Sequence, residues 1–442
     1  MQHLDAAKAQ QLARAVEAAT RGGAGRVGAK DDGRDDVPAL LALYYRHVAP
    51  EDMVTRDPID LCGAALSHQQ MAQERLPGQA MARAFTPTVE ENGWASGHTL
   101  VQVVTDDMPF LVDSVTAELT RRGSAIHLVV HPQVEVRRDP RGRLLEVGPP
   151  SRRTSPGRAM ESWMSVEIDR VSDPEALEGL THDLVRVLDD VRKAVTDWPA
   201  MREQALRLAA ELGEDPPVGV VPAEVEEARE LLRWLAADHF TFLGYREYRL
   251  TRDNGRAEDL LQAVPGSGLG ILRGDPKQPA RLPGPVKAKA REPRLLVLTK
   301  ANTRSTVHRP VYLDYAAVKV FDKGGRVVGE RRFLGLFTSA AYNETVLHIP
   351  VVRRVASAVL ERSGFSPTGH SGRDLLEVLE TYPRDELFQV QVDELSRSSA
   401  ACCTCRSVGS CGCSCGGTTT PATSPRSSTS LGIATPRRYG CG

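Results

Sequence analysis

The sequence predicts an α+β protein made of two helix-and-sheet domains in succession. Three observations lead there. Between residues 97 and 198 the local patterns run strand, helix, strand pair, strand, helix, an order that suits helices packed on one face of a mainly antiparallel sheet. Between 223 and 381 a helical pattern leads into four alternating segments and two further helices, the mark of a second α+β unit with an antiparallel sheet. The chain is 41% apolar and 26% charged over 442 residues, the balance of a globular protein with room for two to four domains.

The elements follow in order. Residues 1–20 carry a charged amphipathic helix pattern, and TRGGAGRVGAKDDGRDD (20–36) reads as a flexible linker. VPALLALYYRHVAP (37–50) is helical, with Val37, Leu40, Leu41 and Tyr44 on one face. HTLVQVVTD is a strand, and MPFLVDSVTAELTRRG is a helix that stops at Gly123. SAIHLVVHPQVEVRRDPRGRLLEV is a strand pair closed by the DPRG turn at 139–142. After a loop at 151–160 comes the strand ESWMSVEIDR, then a helix over 171–198 with Asp173 as N-cap and Pro174 at its first position. Residues 199–222 hold a short helix and a PPVGVVP linker. AEVEEARELLRWLAA (223–237) is an amphipathic helix running into the strand HFTFLGYREYRL (239–250). Past a Gly/Pro-rich stretch (264–294) lie the strands RLLVLTKA, VYLDYAAVKVFD and GRVVGERRFLGLFT, the last two joined by KGGR at 323–326. Helices are expected at 345–365 and 371–381. No repeat recurs at a fixed period.

The resulting organisation is a helix and linker (1–36), a helical lead-in with the first sheet domain (37–200), a linker (201–222), the second α+β domain with its C-terminal helices (223–395), and a tail (396–442). Fifty-six basic and 57 acidic side chains leave a net charge of −1, which gives no electrostatic footing for nucleic acid or an anionic membrane. No stretch has signal-peptide form or approaches the ~18 apolar residues of a membrane span. With one cysteine, Cys62, in the first 400 residues, the expected compartment is the cytoplasm.

Few residues carry a chemical signature. GSGLG (266–270) resembles a dinucleotide loop, but ILRGDPKQPARLPGP follows it, and those prolines forbid the helix on which a phosphate would sit. His127 and His131 lie four apart on a strand, ~13 Å at ~3.3 Å per residue, too far to share a metal at ~2 Å. His308 and His348 have no partner nearby in sequence. Lys300, Arg304, His308 and Arg309 make a basic stretch that reads as solvated surface. No metal ligand set and no catalytic constellation emerges. The turn Asp106, Asp107, Met108, Pro109, Phe110 supports two readings. The aspartates can cap the following helix, or the open N–H groups of the helix start can form a ligand turn, with the two carboxylates opposing an anionic group there.

Four segments carry a family resemblance: VTDDMPFLVDSVTAELTRRGSAIHLVVHP, HFTFLGYREY (239–248), GRVVGERRFLGLFTSAAY (325–342), and IPVVRRVASAVLERSGF with YPRDELFQV (349–390). From about residue 37 to 395 the chain resembles the large type of bacterial NAD-specific glutamate dehydrogenase. The resemblance implies an ACT-like βαββαβ domain whose first strand, DDMPF turn and helix span 99–123. It implies an enzyme family that oxidises L-glutamate to 2-oxoglutarate and ammonium with NAD, and a homo-oligomeric full-length protein. The catalytic domain of such enzymes lies further along the chain, so no catalytic or NAD-binding residue is expected here, and no cofactor is expected to bind. An amino-acid effector at 106–110 is the implied partner. A stand-alone amino-acid sensor or protein-interaction module is the alternative.

The tail stands apart. Residues 396–442 contain no Asp, Glu, Lys, Asn, Gln, His, Phe, Met or Trp, yet hold seven of the eight cysteines, six of them between Cys402 and Cys415. An odd cysteine number argues against disulfides, and no His or Asp supports a zinc site. Reverse-translated with GC-rich codons and read one base earlier, the tail yields strand-like runs such as LRLFLRR and ARYFSALVYL. The expectation is a shifted reading frame, and a tail too poor in apolar periodicity to order.

Overall fold

The computed structural model describes residues 2–21, 37–151, 156–252, 259–274, 276, 279–282, 284–366, 368–390 and 392–397. The expectations for the linker from residue 22 to 36 and for the tail from 398, with its seven cysteines, lie outside these residues. The chain forms two compact units, one of Met1–Val195 with Thr306–Pro310, the other of Thr196–Ser305 with Val311–Gly442.

The first unit opens with α1 (Gln2–Arg21), α2 (Val37–Tyr44), α3 (Pro50–Val54) and α4 (Pro58–Met71), of which α3 and α4 are not among the expected elements; α4 starts on an Asp57 cap and Pro58. Then come β1 (Met81–Phe85), α5 (Val89–Asn92), β2 (Thr99–Asp106), α6 (Leu111–Arg121), β3 (Ile126–Val130), β4 (Gln133–Arg138), β5 (Leu144–Gly148), β6 (Arg158–Ile168) and α7 (Pro174–Glu214), of which the residues from Thr196 on belong to the second unit. All six strands pair antiparallel in the order β1-β2-β6-β4-β5, with β3 also on β6. The expected strand pair at 124–147 is therefore three strands. Pro132 has no N–H to give to a ladder, so the chain breaks at His131–Pro132. β3 takes Ser165–Ile168 of β6 and β4 takes Arg158–Ser162.

β2 is buried on both faces. Leu100 packs with Ala64 and Trp94, and Val104 with Leu40, Leu43 and Trp163. The Gln102 amide donates to the Ala64 carbonyl at 3.0 Å. On α7, Asp173 Oδ1 accepts the Glu175 N–H as the expected cap, and Leu180, Leu184, Leu188 and Val191 are buried. The helix does not end at Trp198. It continues through Pro199 to Glu214. An interior proline costs ~3 kcal/mol, but Met201, Ala205, Leu208, Ala209 and Leu212 continue the apolar side and are all buried. Burial of each large apolar side chain is worth ~1.5–3 kcal/mol, so the apolar face prevails.

The second unit holds α8 (Pro222–Trp234), β7 (Phe240–Arg252), β8 (Asp259–Ala263), β9 (Leu269–Gly270), β10 (Ala280–Arg281), α9 (Gly284–Arg291), β11 (Leu296–Arg304), β12 (Tyr312–Phe321) and β13 (Val327–Phe337). α10 (Ser339–Asn343), α11 (Val352–Ser363), α12 (His370–Thr381) and α13 (Arg384–Leu387) follow. Its sheet is antiparallel, β10-β8-β7-β13-β12-β11, with β9 on β7. The KGGR turn closes as expected, Gly325 adopting φ +74° and donating to the Asp322 carbonyl. Phe240, Phe242, Phe333 and Phe337 meet edge to face in the core. Two boundaries differ from expectation. α11 starts at Val352 and not 345, because Pro350 disfavours helix in the residue before it. Lys300 lies in β11 as the RLLVLTKA pattern expects, and the strand runs on to Arg304. Lys300 Nζ pairs with Asp314 and Asp385 at 2.7 and 3.0 Å. GSGLG ends in β9, and among the described residues that follow no helix begins until α9 at Gly284.

Candidate functional site

The turn after β2 is shaped by its own residues. The Asp107 N–H still donates to Met160 O of β6 at 3.0 Å. Pro109 then stops the ladder and biases Met108 toward extended backbone. Phe110 occupies the N-cap of α6 in the left-handed region (φ 72°) and offers no side-chain cap. That backbone costs an aromatic residue ~1–2 kcal/mol. It is held by Ser114, whose N–H and hydroxyl both donate to the Phe110 carbonyl at 3.0 and 2.6 Å. The first-turn N–H groups of α6 have no partner inside the helix, and the N-cap residue Phe110 gives them no side-chain bond.

Neither aspartate caps the helix, so the capping reading gives way to two separate roles. Asp106 turns inward. Its carboxylate accepts from Arg75 (2.6 Å), Arg192 (2.5 Å) and the Gly78 N–H (3.1 Å). Burial works to raise its pKa, but the hydrogen bonds from Arg75 and Arg192 outweigh it and hold the carboxyl below the usual range. Arg75 also pairs with Glu161 at 2.8 Å, and Arg138 reaches the same carboxylate at 2.6 Å. Asp106 thus belongs to a network of three arginines, Arg75, Arg138 and Arg192, around two carboxylates, Asp106 and Glu161.

Asp107 faces a cavity of about 150 Å³ with Met108, Phe110, Leu111, Val112, Asp113, His131 and Gln133. Its carboxylate accepts the Ser162 hydroxyl at 2.6 Å and the Gln133 amide at 3.3–3.4 Å. At ~30 Å³ per water the cavity has room for about five waters. It falls below the ~300–1,000 Å³ of sites for drug-sized ligands. One wall is the start of α6, whose first turn also carries Asp113, and another carries Asp107.

Two histidines with no sequence-local partner take part. His131 sits at the β3–β4 break, lines the cavity and bonds Ser162 Oγ at 2.9 Å. Burial lowers its pKa below the ordinary value. His308, in the segment counted with the first unit, pairs through Nδ1 with Asp113 Oδ2 at 2.8 Å, and its ring lies 4.9 Å from that of Phe110. His127 remains a strand histidine, paired with Asp169 at 2.8 Å. His348 pairs with Glu344 at 3.2 Å.

A second cavity in this unit, about 230 Å³, has Trp94 and Leu100 in its wall and Arg56, Asp60, His98 and Glu167 among its polar groups. Arg56 and Glu167 satisfy each other at 2.5 Å. Among the described residues no group of three or more His, Cys, Asp or Glu could hold a metal ion, and no helix is long and apolar enough to cross a membrane.

An antiparallel sheet with helices against it is the architecture of an ACT-type domain. The model of the glutamate dehydrogenase ACT1 domain matches residues 40–184, and that of glutamate dehydrogenase helical motif 1 matches 349–406. The chain is 42% identical over 369 residues to an NAD-specific glutamate dehydrogenase of Halomonas elongata, covering 82% of this chain and 23% of that protein. With its counterpart in Pseudomonas aeruginosa it shares 38% identity over 375 residues (84% and 23%), and with that in Mycobacterium tuberculosis 32% over 332 residues (74% and 19%). The chain belongs to the large NAD-specific glutamate dehydrogenases and corresponds to an N-terminal portion of them. It spans about a quarter of the length of these relatives.

Proposed function

We propose that this chain is the regulatory N-terminal part of an NAD-dependent glutamate dehydrogenase, and that it binds a small amino acid at the β2–α6 turn. The observation that carries the reading is the cavity between the Asp107 carboxylate and the uncapped start of α6. An α-ammonium group pairs with Asp107, and an α-carboxylate meets the first-turn N–H groups and the positive end of the helix. Asp106 does not oppose that carboxylate, because Arg75 and Arg192 neutralise it.

In the full-length protein the activity is the oxidation of L-glutamate, with NAD and water, to 2-oxoglutarate, ammonium and NADH, in a cytoplasmic homo-oligomer. This chain itself supplies neither the NAD site nor the catalytic groups. Two assays on the purified chain test the proposal. A spectrophotometric assay should detect no glutamate-dependent NADH formation. Calorimetry against a panel of L-amino acids should detect saturable binding of at least one. NADH formation, or no binding across the panel, would overturn it.

A further inference from the structure

We infer that His308 is a positioning residue for the effector turn: it holds the Asp113 carboxylate away from the start of α6 and so keeps that helix end open to a ligand's carboxylate. The inference rests on the amino-acid reading above.

Asp113 is the third residue of α6, after an N-cap, Phe110, that offers no side-chain bond. An acidic residue at this place ordinarily reaches back to the open N–H groups, drawn by hydrogen bonding and by the positive end of the helix. There it would occupy the groups an incoming carboxylate needs, and repel that carboxylate. Here the Asp113 carboxylate takes another partner. His308 Nδ1 lies 2.8 Å from Asp113 Oδ2. Since an ionised carboxylate only accepts, the proton sits on Nδ1.

The imidazole is fixed from three further directions. The His308 backbone N–H donates to Ser114 Oγ at 2.9 Å. Its ring packs on Phe110 at 4.9 Å. The Thr306 hydroxyl donates to Asp190 at 2.8 Å, anchoring the same short segment. His308 itself has φ 67°, a conformation uncommon outside glycine that aims its N–H and its ring at α6 together. Ser114 also bonds the Phe110 carbonyl, so the hydroxyl that fixes the strained cap receives the His308 N–H as well.

The test is calorimetry on the full 442-residue chain in four forms: wild type, His308→Ala, Asp113→Asn and the double variant. The probe is whichever of L-glutamate, L-aspartate, L-alanine, L-serine or L-leucine binds the wild type most tightly. His308→Ala should weaken that amino acid on the order of tenfold, the scale of one freed charge near another at a protein surface. In the Asp113→Asn background the same His308→Ala change should cost less than twofold, because no carboxylate is left to restrain. A merely structural role for His308 would give the same loss in both backgrounds, and that result overturns the inference. So does unchanged binding in His308→Ala. Absence of binding to the wild type overturns the effector reading itself, and the role of His308 with it.

Discussion

Arg75 and Glu161 form a 2.8 Å ion pair with side chains only 1% and 0% exposed. Arg138 pairs with the same carboxylate and the Trp163 indole N–H donates to it at 3.0 Å. Removing one member of a buried network leaves its partners charged and dry, which typically costs 3–5 kcal/mol. Glu161→Ala should therefore destabilise the first unit by about that much, measured as a fall in the urea midpoint at pH 7. A loss within 0.5 kcal/mol, the scale of an ordinary surface substitution, would show the network to be incidental.

The same groups set part of the acid limit. Burial tends to raise the pKa values of Glu161 and Asp106, but the hydrogen bonds from their arginines outweigh it and leave both carboxyls depressed in the folded state. A depressed folded pKa gives stability that is present above the unfolded pKa, ~3.9–4.3 for these residue types, and is lost as pH falls through the folded value. Denaturation series should show this contribution flat from pH 5 to 8 and falling below ~4. Glu161→Gln should shrink the fall.

His68 acts over a higher window. Its Nε2 lies 3.1 Å from the Val103 carbonyl and so carries the proton, leaving Nδ1 to accept the Tyr44 hydroxyl at 2.8 Å. Burial pushes its pKa down to about 3. The unfolded chain binds a proton at ~6.5 that the folded chain refuses, so stability falls as pH drops from ~6.5 toward 3, by up to ~1.4 kcal/mol per pH unit. Urea midpoints at pH 7 and 5 should differ in the wild type, and the difference should shrink in His68→Gln. An equal pH response in the two proteins would contradict the assignment.

Gly63 lies inside α4, where alanine would ordinarily gain ~1 kcal/mol. A Cβ there would lie 2.3 Å from the Trp94 ring, and Trp94 is buried against Leu100. Overpacking costs ~1–3 kcal/mol, so Gly63→Ala should destabilise on balance. Tryptophan fluorescence should shift as the indole is displaced. A stabilised variant with unchanged fluorescence would show that the helix can yield instead.

The tail is tested in the gene. Resequencing the codons for residues 395–401 should reveal one base too many or too few, with the restored frame continuing in charged and aromatic residues. An unchanged frame would leave the seven tail cysteines as genuine protein and return the question of their chemistry.

Much of the fold follows from local pattern. The apolar spacing of α6 and of the first half of α7, the Asp173 cap and the KGGR hairpin are all written within a few residues, and each forms. What local pattern misses depends on distant partners. Pro199 argues for a break until the buried side chains beyond it are weighed. β1, MARAF, has an arginine at its centre, and it forms because Arg83 bonds Gln102 on the neighbouring strand at 2.6 and 3.1 Å. The turn at 106–110 is visible as a turn, but the division of labour between its aspartates is not. The arginines that claim Asp106 lie 31 and 86 residues away. His308 meets Asp113 across 195 residues, a distance no periodicity spans.

The central claim is that Asp107 and the open start of α6 form an amino-acid site. The most direct measurement is titration calorimetry of the wild-type chain and Asp107→Asn with the same L-amino-acid panel. The account predicts saturable binding to the wild type. In the variant it predicts a loss of tenfold or more, because a charge-assisted bond worth ~1.5–3 kcal/mol is replaced by a neutral one. Binding of equal strength in the two proteins would contradict it.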